Sequence, residues 1–279
     1  MVRREEFSDP LYQEVARFIA RRNREPAQHI GYLDDEPGSV AAELRELEGD
    51  FAFALGRDGP GLAGVLGAEW DPEVDRAWLL GPWADGDARQ DQLYAALRPA
   101  IPAGIAAHEI YCNAENAPVI GFAGRNGLTR PGQCVIMRFT REQVAALPPV
   151  DLPALPPAHQ DQFSALHDRS FPDTAHPAAA VLRQDMPVLA VVEEGALLGY
   201  AVLKLRPEYD EALVEYLAVD EAARGRGLGS RLLAGALRTA FADERFTRMD
   251  LVTSNPVARR LYEKAGFRLL HEMRSFRSG

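Results

Sequence analysis

The sequence predicts an α/β protein of the α+β kind, built as two tandem domains that share one plan, each a mixed, mostly antiparallel sheet flanked by helices. Three observations carry this. The stretch Leu147–Pro157, near mid-chain, holds five prolines in eleven residues, and it reads as a stiff connector because proline fixes φ and removes a donor. Moving the N-terminal half by 139 residues (Asn255 minus Asn116) sets it on the C-terminal half, so that Gly127 meets Gly266 and Leu93 meets Leu232. The C-terminal half alternates short apolar runs with helical patterns in the order αββ–β–loop–α–β–α–β. The domains are accordingly 1–146, a linker 147–157, and 158–279.

Each element of the second half has its own signal. His159 to Ser170 follows a helical polar–apolar pattern. Val188–Glu193 and Leu198–Leu205 are strands that turn at Glu194-Gly195. Leu213–Val219 is a third strand, an apolar run interrupted by Glu215. A helix from about Gly227 to Ala242 shows one apolar face at 228, 232, 233, 236, 237, 240 and 241. Met249–Thr253 is a strand. Asn255-Pro256 opens the next helix as N-cap and first helical residue, and Gly266 closes it. Phe267–Phe276 returns as a strand.

Composition narrows the function. The 279 residues are 47% hydrophobic and 26% charged, the balance of a globular protein, and no apolar run reaches the length of a membrane span. The start, MVRREEFSDP, leads into no apolar stretch, so a cytoplasmic location is expected. Two cysteines and scattered histidines offer neither a disulfide framework nor a metal set, so no metal is expected. A net charge of −10 without a basic stripe argues against nucleic acid, and no membrane partner is expected.

The most informative segment follows Val219 and reads DEAARGRGLGSRLL. Glycines at 225, 227 and 229 stand directly before an amphipathic helix. Bare backbone N–H groups at a helix start form an anion site, and Arg224 and Arg226 add positive charge. A diphosphate suits it. A Walker loop would need a lysine after the glycines; a dinucleotide loop would need glycine where Ser230 stands. The pattern [QR]-x-x-G-x-[GA] is met in full by Arg224, Gly227 and Gly229.

Taken with MDLVTSNPVARRLYEKAGF downstream, this segment resembles the GNAT superfamily of N-acetyltransferases over about 120 residues, in its tandem-domain form. The resemblance implies acetyl-CoA as co-substrate and an amine as acceptor. It implies that the main chain of Leu217, Ala218 and Val219 binds pantetheine and polarises the thioester carbonyl. The segment Arg224, Gly225, Arg226, Gly227, Leu228, Gly229 and Ser230 would hold the diphosphate, and Asn255 would contact a pantetheine amide. Tyr262 matches the general acid, since a phenol of pKa about 10 can protonate a thiolate whose thiol pKa is about 8.5. For the base, Glu215 stands first, as a carboxylate in an apolar strand. Asp250 is the alternative, and water a third.

The first half lacks these features. Under the same offset the loop meets Asp85–Asp91, Tyr262 meets Ala123 and Glu215 meets Arg76, so this half is expected to be degenerate and to bind no CoA. The whole then reads as an enzyme acetylating a primary amine, of a small molecule first, or of a protein or peptide. The reading from another class is an acyl-CoA sensor without turnover.

Overall fold

A computed structural model describes every residue except 32, 48, 173, 175, 185, 208, 209 and 279, and the chain forms two compact units. Unit 1 comprises Met1–Cys134 together with His271–Gly279; unit 2 is Val135–Leu270. The linear boundaries expected from the sequence are therefore corrected at both ends. The last nine residues belong with the first unit, and the break falls before the proline-rich stretch.

Unit 1 contains β1 (Val2–Arg3), α1 (Asp9–Asn23), α2 (Pro37–Glu46), β2 (Asp50–Asp58), β3 (Gly61–Asp71), β4 (Arg76–Ala84), α3 (Asp87–Leu97), β5 (Ala107–Asn113), α4 (Ala117–Arg125) and the start of β6 (Leu128–Thr140). The strands follow the order β1-β2-β3-β4-β5, antiparallel except for the parallel pair β4/β5. Val15, Ala16 and Ile19 on one stripe of α1 pack with Phe53 of β2, Leu66 of β3 and Phe122 of α4 in a single core.

Unit 2 contains α5 (Gln160–Ser170), α6 (Ala178–Arg183), β7 (Val188–Glu193), β8 (Ala196–Arg206), β9 (Glu211–Val219), α7 (Leu228–Phe241), β10 (Arg248–Thr253), α8 (Pro256–Ala265) and the start of β11 (Arg268–Ser278). Its strand order is β6-β10-β9-β8-β7, antiparallel but for β9/β10. All seven positions assigned to the apolar face of α7 are buried. Each leucine among them contributes about 1.5–3 kcal/mol by leaving water. The short helix α6 has no counterpart in the sequence reading, because six residues are too few to show a helical period.

The proline-rich stretch is not a free connector. Leu155 N–H donates to the Val188 carbonyl (2.7 Å) and Ala190 N–H to the Pro153 carbonyl (3.0 Å), so it runs along the outer edge of β7, where missing donors are tolerated. Leu152 fills the space beside Gly235; a Cβ there would lie 2.4 Å from its Cδ1.

The C-terminal strand is committed to unit 1. From Met273↔Asn113 to Arg277↔Glu109, β11 pairs antiparallel with β5, and Met273 is 1% exposed. In return, the last part of β6 pairs with β10 in unit 2, from Val135↔Thr253 to Thr140↔Arg248. Deleting residues 271–279 is expected to lower the stability of unit 1 by more than about 2 kcal/mol, since Met273 burial alone accounts for that much. Urea unfolding followed in unit 1 should show the loss; an unchanged midpoint would mean the strand is dispensable.

The two units share the plan the sequence predicts, but not without a gap. The segment between β9 and α7 spans residues 220–227, whereas only Asp85 and Gly86 separate β4 from α3. The 139-residue offset holds for α4 and α8 and slips by several residues at β4 and β9. Unit 1 thus lacks the glycine loop altogether, a more complete loss than exchanged residues.

Candidate active site

The two parallel strands of unit 2 stay together only briefly. Pairing between β9 and β10 runs from Glu211↔Arg248 to Leu213↔Asp250 and then ends. Beyond that point, among the described residues, β9 pairs only with β8, as far as Val219↔Gly199, and β10 continues only against β6. The flank of β9 that would face β10 is thereby open from residue 214 onward. Backbone groups alternate in direction along a strand, so part of Leu217–Val219 offers unpaired donors and acceptors there.

Glu215 sits at the opening. The β8/β9 register jumps from Leu203↔Val214 to Val202↔Tyr216, leaving Glu215 as an extra residue, a β-bulge. Its consequence is visible in packing. Ala212 and Val214 join the core under α7, whereas Tyr216 and Ala218 join the core under α5 and α6. One inserted residue reverses the faces of everything after it. The carboxylate is half-buried and has no hydrogen bond or ion pair among the described residues.

After Val219 the chain makes the turn that the glycines permit. Gly225 (φ 79°) and Gly227 (φ 76°) are left-handed, a region costly for other residues, and Gly227 is the N-cap of α7 with no side chain capping it. The first-turn N–H groups of Leu228, Gly229 and Ser230 are consequently left to an outside partner. A Cβ on Gly225 or Gly227 would meet nothing within 4 Å. Gly229 is small for a different reason: its Cβ would stand 3.2 Å from Leu261 of α8. Leu228 turns into the core, and Arg224 lies exposed with Nε 3.4 Å from the Val219 carbonyl. Arg226 is turned to the carboxylate of Glu193 at 2.6 Å, so its charge is partly spent within the protein.

Asn255 caps α8, its Oδ1 accepting from Val257 N–H (2.9 Å) and Ala258 N–H (3.4 Å), which leaves its Nδ2 without a bond among the described residues. Seven residues on, Tyr262 is 7% exposed, its ring 5.8 Å from that of Phe267. Leu217 and Val219 pack on the same core cluster, so the acid candidate and the opened strand share one face of the sheet. Burial alone raises the phenol pKa, with no hydrogen bond to the hydroxyl among the described residues.

An opened parallel pair, a bulge and an uncapped helix start thus follow one another along β9 and into α7. Residues 152–267 match the Acetyltransferase (GNAT) family. The chain carries a GNAT acetyltransferase domain. Its fold is similar to that of a GCN5-related N-acetyltransferase from Sphaerobacter thermophilus (TM-score 0.74, 17% identity, 98% of this chain and 93% of that one). It is also similar to a tandem GNAT protein from the clavulanic acid biosynthesis pathway (TM-score 0.70, 14% identity, 99% and 97%) and to a GCN5-related N-acetyltransferase from Kribbella flavida (0.58, 15%, 77% and 86%). No curated protein matches the sequence. GNAT enzymes use acetyl-CoA as co-substrate, and the open backbone flank with bare amides at its end fits that molecule.

The GNAT domain handles its second carboxylate differently from its first. Asp250 is buried, and both its oxygens are held by Arg138, Nε at 2.8 Å and Nη2 at 2.7 Å. A carboxylate in a two-point guanidinium grip has both oxygens committed to that ion pair. Arg138 comes from β6, which the linear reading assigned to the other domain, so no signal near Asp250 could reveal it. Asp250 also faces a residue the sequence reading passed over. Glu211 on β9 is raised to about 7, by burial first and then by the Asp250 charge, against the pull of Arg248 and Arg206. Those two guanidiniums lie 3.7 Å from its oxygens.

A carboxyl raised in the folded state binds its proton more tightly there than in the unfolded chain. Its stabilising contribution is complete below the ordinary glutamate value and is lost as pH rises through about 7. Thermal unfolding is expected to show stability falling between pH 5 and 8, and Glu211→Gln to flatten that slope. An identical slope in the variant would remove Glu211 as its origin.

Proposed function

We propose that this protein is an acetyl-CoA-dependent N-acetyltransferase that acetylates a primary amine of a small molecule in unit 2. The carrying observation is the end of β9/β10 pairing at Leu213/Asp250, beside a helix start that no side chain caps. Acetyl-CoA, when bound, supplies an activated acyl group for direct transfer to the amine.

The chain's own groups then have distinct tasks. Unpaired main-chain groups of Leu217–Val219 orient the thioester arm along the open flank of β9 and polarise its carbonyl. The N–H groups from Arg226 to Ser230, with the exposed Arg224, hold the diphosphate. Asn255 Nδ2, without a bond among the described residues, donates to a pantetheine carbonyl. Glu215, unpaired at the bulge, takes the proton from the acceptor ammonium, directly or through water, and Asp250 is reserved for structure by Arg138. Tyr262, a phenol protonated at neutral pH and pushed further in that direction by burial, passes its proton to the departing sulfur.

The test is thiol release from acetyl-CoA in the presence of a panel of primary amines. Amine-dependent release with an N-acetylated product supports the reading. Tight acetyl-CoA binding with no thiol released by any amine would sink it in favour of a sensor.

A further inference from the structure

Unit 1 has its own parallel pair, and it too parts early: β4 and β5 pair from Arg76↔Ala107 to Leu79↔Ile110 and no further. The other flank of β5 is covered by β11. What lies in the gap is the chain itself. Gly31 N–H donates to the Tyr111 carbonyl (3.0 Å) and Asn113 N–H to the His29 carbonyl (3.0 Å), an antiparallel bridge of Ile30 with Cys112. The opposite side of this short segment is closed as well. Asn23 of α1 accepts from Ile30 N–H at 3.0 Å and donates to its carbonyl at 3.1 Å, while the Trp83 indole of β4 donates to the same Asn23 oxygen at 2.8 Å.

The comparison with unit 2 gives this a meaning. Asn116, which caps α4 as Asn255 caps α8, directs its Nδ2 to the His29 carbonyl at 3.2 Å. The corresponding group of Asn255 is free among the described residues. In unit 2 no chain segment among the described residues hydrogen-bonds to β10 beyond Asp250 on the β9 side. Around the start of α3, Asp85 is paired with Arg22 (2.7 Å) and Asp87 with Arg125 (3.1 Å).

We propose that the cleft of unit 1 is sealed from within: residues His29–Gly31 lie along β5 as a built-in stand-in for the pantetheine arm, clamped by Asn23, Trp83 and Asn116. His271 completes the clamp, stacking on His29 with ring centroids 4.2 Å apart and bonding Asn113 at 3.2 Å. The β5 groups that would meet an incoming amide chain, the Tyr111 carbonyl and the Asn113 N–H, are already bonded, and Ile30 is wholly buried. The full chain therefore takes up one acetyl-CoA and not two. This count rests on the cofactor reading of unit 2; the seal itself does not.

Amide hydrogen exchange at residue resolution on the full chain, with and without acetyl-CoA, separates the two. The N–H groups of Ile30, Gly31 and Asn113 are expected to exchange at least about 10³-fold more slowly than in an unstructured peptide, with no change on adding acetyl-CoA. Slowing in the ligand's presence is expected only at Leu217–Val219 and Arg226–Ser230. Asn23→Ala should speed exchange at Ile30 and Gly31 by tenfold or more and leave Leu251 unaltered. Free exchange at Gly31 and Asn113 in the unmodified protein, or slowing there with acetyl-CoA, would overturn the seal. Absence of any effect at Arg226–Ser230 would instead count against the cofactor reading, leaving the seal to be judged on Gly31 and Asn113.

Discussion

Gly227→Glu is expected to weaken acetyl-CoA binding by at least about 100-fold while leaving the protein folded. Two effects add. The residue is held at φ 76°, where a side chain costs about 1–2 kcal/mol, so the loop would relax and turn its first-turn N–H groups away. The new carboxylate would then stand beside a diphosphate, with repulsion of about 1 kcal/mol for each close charge pair even at the dielectric of water. Together these reach about 3 kcal/mol, and 1.4 kcal/mol is tenfold. Folding is spared because nothing lies within 4 Å of the position the Cβ would take. Gly227→Ala supplies the strain without the charge and should cost about tenfold. Calorimetric titration of the three proteins measures both steps, and wild-type affinity in the glutamate variant would remove the basis for the anion site.

Tyr262→Phe should lower turnover by about 10²–10⁴-fold, the usual span for a lost general acid. Acetyl-CoA affinity should stay nearly unchanged. The separation is possible because the two parts of the side chain have separate environments. The ring is fixed in the core with Phe267, and the hydroxyl has no hydrogen-bond partner among the described residues, so its removal orphans none of their polar groups. Stability should change by no more than about 0.5 kcal/mol. With its pKa above the ordinary phenol value, Tyr262 should also add no alkaline limb to the rate profile between pH 6 and 9. Unchanged turnover would reduce the residue to packing.

Both variants concern residues that the linear sequence places correctly, and the reason is that their geometry is local. A glycine pair before an amphipathic helix, an Asn-Pro helix start and a tyrosine two turns later are set by backbone preferences within a dozen residues. The seven-position face of α7 and the limits of β7 were legible for the same cause, since periodicity records which side meets the core. Glu215 was visible as an interruption in an apolar run. That the interruption is a bulge, with the faces of Tyr216 and Ala218 reversed, required the β8 register.

What the sequence alone determined, then, is the α+β plan, its repetition and the left-handed glycine turn into α7, because these depend on short-range sterics and hydrophobic period. Only the tertiary structure decided which strand completes which sheet, that Asp250 is held by an arginine 112 residues away, and that His29–Gly31 fill the gap beside β5. Strand pairing and ion pairing join groups far apart in the chain, and no local preference encodes the partner.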